Sequence, residues 1–258
     1  MNSPDRRHVQ RLLVAFAAAA ALLFVMALIV QAQDARPPSD RELAARLARP
    51  DRAFHASVGN APPPFEALKQ AQQFALDGKD HDAATACAAC HGMRGEGDAN
   101  LGAPRLAGLP AWYLRKQLRD YTSGARKNAV MIPIAEAIND ADAQILASYY
   151  AVLDPPSFRT PPARQQERSA LGAQFANQGN ADKGVPACVN CHGPLGMGLS
   201  PSVPYLAGQN ADYTVEQLKA WTDGTRSNDD SNVMHAIAGK LNEADMRAVA
   251  AYYQGLAR

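Results

Sequence analysis

Apolar residues recur at three- and four-residue intervals in six separated stretches, residues 65–76, 110–121, 140–153, 169–178, 212–222 and 242–256. That spacing places the apolar side chains on one face of a helix. Acidic or amide residues near several of the starts are suited to cap the first turn. No alternating run of strand length competes, so the pattern predicts an all-α fold. Between the helices lie two glycine-rich stretches, residues 92–97 and 193–198, where glycine permits turns and close backbone approach. A phosphate-binding reading of these loops fails, because neither stands between a strand and a helix. Upstream of all this, Leu12 to Val30 is an uncharged apolar run preceded by Arg6, Arg7 and Arg11.

The helical stretches fall into two matching sets. Phe74 and Gly78 correspond to Phe175 and Gly179, and Ala103-Pro104-Arg105-Leu106-Ala107-Gly108 corresponds to Val203-Pro204-Tyr205-Leu206-Ala207-Gly208. Tyr113, Gln117, Leu118, Gly124 and Arg126 recur 100 positions later as Tyr213, Gln217, Leu218, Gly224 and Arg226. Three extra residues then precede Met234-His-Ala-Ile237-Ala238, the match of Met131-Ile-Pro-Ile134-Ala135. Both halves close on a Tyr-Tyr pair, Tyr149-Tyr150 and Tyr252-Tyr253. The organisation expected is an N-terminal segment 1–32, a tether 33–64, domain one over 65–154, a Pro-rich linker 155–168 and domain two over 169–258. Proline-rich linkers are semi-rigid, so this one would hold the domains at restricted distance.

All four cysteines sit in two runs of one form, Cys87-Ala-Ala-Cys90-His91 and Cys188-Val-Asn-Cys191-His192. Cys-x-x-Cys-His is the attachment signature of c-type haem, with two thioether bonds to the porphyrin and the histidine on iron. A zinc site would need four ligands closing a tetrahedron, and each run offers three. A thioredoxin-like pair belongs in a βαβ setting, and a disulfide framework needs no histidine after every second cysteine. The cofactors expected are therefore two covalently attached haem c groups, on Cys87, Cys90, Cys188 and Cys191.

Outer-sphere electron transfer calls for a sixth iron ligand, and methionine raises the potential. The repeat supplies one per half: Met131 lies 40 residues beyond His91, and Met234 lies 42 beyond His192. The metal ligands expected are thus His91 with Met131, and His192 with Met234. Met93 and Met197 follow the histidines too closely to reach the opposite side of the ring, and read as packing or loop residues. His235 competes with Met234, but the first half carries Ile132 at its position.

These motifs, in this order over residues 65 to 258, resemble the dihaem cytochrome c4 family, carriers built of two tandem class I cytochrome c domains. The resemblance implies His/Met ligation in both domains and haems close together across a pseudo-twofold interface. By analogy, the carbonyls of Pro104 and Pro204 would accept the ring N–H of the proximal histidines and fix their orientation. Arg126 and Arg226 would pair with haem propionates, whose burial is otherwise costly. Tyr121 and Trp221 would wall the haems.

The apolar run Leu12–Val30 is long enough to span a bilayer, with its arginine flank on the cytoplasmic side and the haem domains on the periplasmic side. Val30-Gln31-Ala32 also fits a signal-cleavage site, which would release a soluble periplasmic protein. Within 33–64 the Arg/Leu/Ala part suits a short amphipathic helix, flanked by prolines that read as tether. The formal net charge of +1 carries no basic signature for nucleic acid. No nucleophile, general base or small-molecule substrate site stands out. The reading is an electron carrier rather than an enzyme, with redox-protein partners: a quinol-oxidising cytochrome bc complex as donor and a terminal oxidase as acceptor. A fixed dihaem subunit of an oxidase or dehydrogenase is the alternative. A dihaem peroxidase or a gas sensor would need an open iron position, which the matched methionines argue against.

Overall fold

Helix α1 (Asp40–Leu47) begins with a reciprocal cap: Ser39 accepts from the Glu42 amide, and the Glu42 carboxylate accepts from the Ser39 amide at 2.7 Å. Such a box satisfies donors that the first turn leaves open. Helix α2 (Pro50–Ala56) follows directly. Helix α3 (Phe65–Asp77) buries Leu68, Ala71, Phe74 and Ala75 on one face and stops at Gly78, whose φ is +81°. The short α4 (Ala88–His91) carries the first cysteine–histidine run. Then come α5 (Ala111–Thr122), α6 (Met131–Ala137) and α7 (Asp140–Val152), the last capped by Asn139 on the Asp142 amide at 2.8 Å.

The second half repeats the order as α8 (Ala170–Asn177), α9 (Val189–His192), α10 (Ala211–Asp223), α11 (Val233–Ala238) and α12 (Glu243–Gly255). The computed structural model describes residues 36–56, 62–82, 85–154, 169–199 and 202–256. Among these no strand forms, only isolated bridges. The expected apolar run Leu12–Val30 and the Pro-rich linker 155–168 lie outside the described residues. Among the described residues no helix is long and apolar enough to cross a membrane.

In each half the terminal helix is the hub. α7 packs on α3 and α5, and α12 packs on α8 and α10. The α8–α12 crossing is so close that a Cβ on Gly172 would sit 2.1 Å from the Ala248 carbonyl oxygen. The matching residue of the first half is Ala71, fully buried. Residues 38–258 form one compact unit, and its main core draws on both halves, from Leu68, Phe74 and Tyr149 to Phe175, Val249 and Tyr253.

The N-terminal segment departs from the tether expected over 33–64. α1 and α2 lie against domain one, with α2 packed on α7 and with Leu43 and Ala56 fully buried. Arg46 donates to Asp154 at 2.7 Å and Arg49 to the same carboxylate at 3.2 Å, while Arg94 of the loop after His91 reaches Glu42 at 3.5 Å. The alternation of arginine with leucine and alanine had suggested only a short amphipathic helix. It had given no sign of what that apolar face would cover. Leu43→Ala is predicted to cost about 2–5 kcal/mol in denaturant unfolding, the usual range for emptying a buried leucine site. A free tether would leave the midpoint unchanged.

Candidate functional site

Both Cys-x-x-Cys-His runs take the same local shape: a single helical turn closed by a positive-φ glycine, Gly92 at +80° and Gly193 at +72°. The turn aims each histidine inward, and both are buried. His91 Nδ1 meets the Pro104 carbonyl oxygen at 2.8 Å and His192 Nδ1 meets that of Pro204 at 3.0 Å. A carbonyl can only accept, so Nδ1 carries the proton and Nε2 is the nitrogen left with a lone pair. Burial lowers both imidazoles below the ordinary histidine value, against the opposing pull of the proline carbonyls. Neutral imidazole with one committed nitrogen is the form that binds a metal.

The loops beyond the histidines are locked from behind. A Cβ on Gly95 would lie 2.7 Å from the Tyr150 ring, and one on Gly196 would lie 2.5 Å from the Tyr253 ring. At these two positions the Tyr-Tyr helices pressed against the loops leave room only for glycine. Tyr150 is pushed well above the ordinary tyrosine value by burial, with Cys87 beside it adding to the effect.

His91, Met131, His192 and Met234 all line one predominantly apolar cavity of about 530 Å³, together with Cys87, Cys90, Cys188 and Cys191. Each methionine lies in the first turn of a short helix, and a side-chain acceptor from the preceding loop fixes its amide. Asn128 Oδ1 takes the Met131 N–H at 2.9 Å, and Asp229 Oδ2 takes the Met234 N–H at 2.6 Å. The three extra residues of the second half fall near this cap, where Asp230–Asn232 makes a 3-10 turn. His235 is exposed and turns its Nδ1 to the Trp221 carbonyl at 2.7 Å, so it does not compete with Met234 for the cavity. Met93 and Met197 are exposed loop residues.

Arg126 and Arg226 are both buried and both border the cavity; each donates to the glutamine of its own half, Gln117 or Gln217, and also across the seam between the halves. Arg126 donates to Tyr213 OH at 2.7 Å and Gln217 Oε1 at 2.6 Å; Arg226 donates to Tyr113 OH at 3.2 Å and Gln117 Oε1 at 3.1 Å. The backbone repeats the exchange, Lys127 N–H to Thr225 O and Ser227 N–H to Ala125 O, each at 2.8 Å. Each of these contacts is paired with its partner under an offset of 100, the signature of a pseudo-twofold axis. The guanidinium of Arg126 lies over Tyr121 at 4.7 Å and that of Arg226 over Trp221 at 4.0 Å. Burial alone would raise Tyr113, yet Arg226 and Arg126 beside it outweigh that and pull it down.

A third buried arginine was not singled out from sequence. Arg105 is 1% exposed and borders the cavity; its guanidinium donates to Ala107 O and to Ala207 O, the latter at 3.0 Å, and stacks on Tyr205. Gln209 grips its backbone on both sides. The second half has Tyr205 and the first has Leu109 at the matching positions, so neither residue belongs to the repeat that drew attention to the others.

Three buried guanidinium groups with no ion pair among the described residues, around one cavity, fit a ligand that brings its own carboxylates. The Arg105 Nε and Trp221 Nε1 donors, buried with no protein acceptor, point the same way. With two thiols and a neutral histidine at each end, the donor set fits two haem c groups.

Comparison with known proteins settles the class. The cytochrome c family profile matches residues 75–151 and again 169–257. The chain belongs to the cytochrome c family. It is 43% identical over 182 residues to the thiosulfate dehydrogenase electron acceptor of Stutzerimonas stutzeri, covering 70% of this chain and 84% of that protein. It is 36% identical over 176 residues to cytochrome c4 of Pseudomonas aeruginosa, covering 67% and 85%. Among solved structures, reduced cytochrome c4 from Pseudomonas stutzeri superposes with a TM-score of 0.63 at 31% identity, over 73% of this chain and 98% of that one. Thiosulfate dehydrogenase (TsdBA) from Marichromatium purpuratum superposes with a TM-score of 0.65 at 39% identity, over 72% of this chain but only 40% of that longer one. The protein is thus a cytochrome c4-like dihaem electron carrier with two tandem cytochrome c domains and two haem c groups.

The crossed arginine contacts predict energetic coupling. In a double-mutant cycle on unfolding of the holoprotein, Arg126→Gln and Tyr213→Phe should be non-additive by about 0.5–3 kcal/mol, as for residues in direct contact. Strict additivity would contradict the crossed seam.

Proposed function

We propose that this cytochrome is the periplasmic electron acceptor of a thiosulfate-oxidising dehydrogenase, and that it passes single electrons on toward a terminal oxidase. One observation carries the choice of donor. The chain is 43% and 44% identical to two relatives named as electron acceptors of thiosulfate dehydrogenase, and 35–37% identical to those named cytochrome c4. The quinol-oxidising cytochrome bc complex expected from the cytochrome c4 resemblance is the competing donor. An anchor formed by residues 1–32 would hold the carrier at the membrane where such an oxidase resides.

In this reading Cys87 and Cys90 would attach one haem and Cys188 and Cys191 the other, while His91 with Met131 and His192 with Met234 would ligate the irons. Bound haem iron supplies one-electron exchange with no bond made or broken in a substrate. The protein's part is orientation and exclusion. The Pro104 and Pro204 carbonyls hold each imidazole in one tautomer, and the capped α6 and α11 hold each thioether. Apolar walls keep water out, and the buried arginines offset the charge of the propionates. Methionine in the sixth position raises the potential and closes the iron to peroxide or gas, which separates this reading from a dihaem peroxidase or a sensor.

Met131→Ala should remove the methionine–iron absorption band from one haem per chain, halving its intensity, and should open that haem alone to carbon monoxide. Met131→Ala combined with Met234→Ala should remove it entirely. Full retention of the band in either single variant would exclude that methionine as a ligand.

The donor is tested by mixing the oxidised holoprotein with thiosulfate and a catalytic amount of purified thiosulfate dehydrogenase. Stoichiometric reduction of both haems is expected. Reduction by quinol and a cytochrome bc complex, with none by thiosulfate and its dehydrogenase, would overturn the proposal.

A further inference from the structure

Each proximal histidine is held by a proline carbonyl, and in domain one that proline's peptide is itself held from the other half. The peptide unit whose oxygen accepts from His91 is Pro104–Arg105, and the amide hydrogen of that same unit is donated to Gln209 Oε1 of the other half at 2.9 Å. Gln209 Nε2 in turn donates to the Arg105 carbonyl at 3.1 Å, so one side chain pins the loop on both sides. Both residues are more than nine-tenths buried. The residue of the first half that matches Gln209 is Leu109, whose side chain carries no amide.

We infer that Gln209 is a positioning residue of domain two that sets the electron richness of the His91 ligand in domain one, tying that iron site to the interdomain seam. Hydrogen bonds in a chain polarise one another. A peptide that donates through N–H is a stronger acceptor through its oxygen, and a stronger acceptor on Nδ1–H makes Nε2 a better donor to the metal. A more basic axial imidazole favours the ferric state, so this relay lowers the potential of the domain-one site relative to the same site without it. The inference rests on the ligation proposed above, with His91 on iron.

Gln209→Leu gives the second half the residue that the first half has at this place. In spectroelectrochemical titration of the holoprotein, the domain-one midpoint should rise and the domain-two midpoint should stay. The two waves are assigned with Met131→His and Met234→His, each of which displaces its own wave. The sign separates the relay from mere loosening of the seam, since water admitted to a haem favours the more charged ferric form and would lower the midpoint. The near-isosteric Gln209→Met serves the same purpose should the leucine variant fold poorly. In proton NMR of the reduced protein the His91 Nδ1–H resonance should move upfield while that of His192 stays. An unchanged or lowered domain-one midpoint, or equal shifts of both waves, would overturn the inference. A domain-one haem lacking its methionine–iron band before any substitution would overturn the ligation reading instead.

Discussion

A single hydrogen bond in each half governs the rest: the imidazole N–H of a buried histidine given to the carbonyl of a proline a dozen or so residues onward. Proline has no N–H and a fixed φ, so the loop that carries it is stiff and its oxygen is a reliable acceptor. That bond commits one ring nitrogen and leaves the other to metal. It also makes the one-turn helix, the glycine loop and the Tyr-Tyr helix necessary, because each exists in a position that keeps the histidine and the proline loop in register. Gly95 against Tyr150 and Gly196 against Tyr253 show how little room that arrangement leaves.

The seam between the halves adds a second constraint. Charged side chains seldom lie buried without partners, yet here Arg105, Arg126 and Arg226 line the space between two domains that share one core. Tyrosine, glutamine and backbone oxygens satisfy part of their hydrogen-bonding capacity, and the remainder faces the cavity. A dihaem protein can tolerate this because propionates bring compensating charge to the same place. Two domains joined only by a flexible linker would have no reason to bury such groups together.

Much of this was legible from the chain. The six long helices emerge within a residue or two of their expected limits, because each carries recurring apolar positions and three are capped by asparagine, at Asn139, Asn210 and Asn242. The repeat set Met131 and Met234 at matching places, and both line the cavity with His91 and His192; the offset of 100 is a spatial operation as well as a pattern of letters. Residues outside the repeat were harder to read. Arg105 and Gln209 interact only because the two halves meet, and a contact across a pseudo-twofold seam leaves no periodicity in either half. The caps on Met131 and Met234 come from Asn128, three residues before its methionine, and Asp229, five before its own, so the two do not match under the repeat. The docked N-terminal pair was hidden for a related reason, since an amphipathic stretch shows that it has an apolar face but not which surface receives it.

The account stands or falls on two equivalent covalent sites within one chain. Intact-peptide mass spectrometry after protease digestion, on protein from a host competent in cytochrome maturation, tests this most directly. The account predicts two haem-bearing peptides, one spanning Cys87 to His91 and one spanning Cys188 to His192, each heavier than the bare peptide by one haem with no free thiol. Recovery of either peptide with both cysteines free would contradict it.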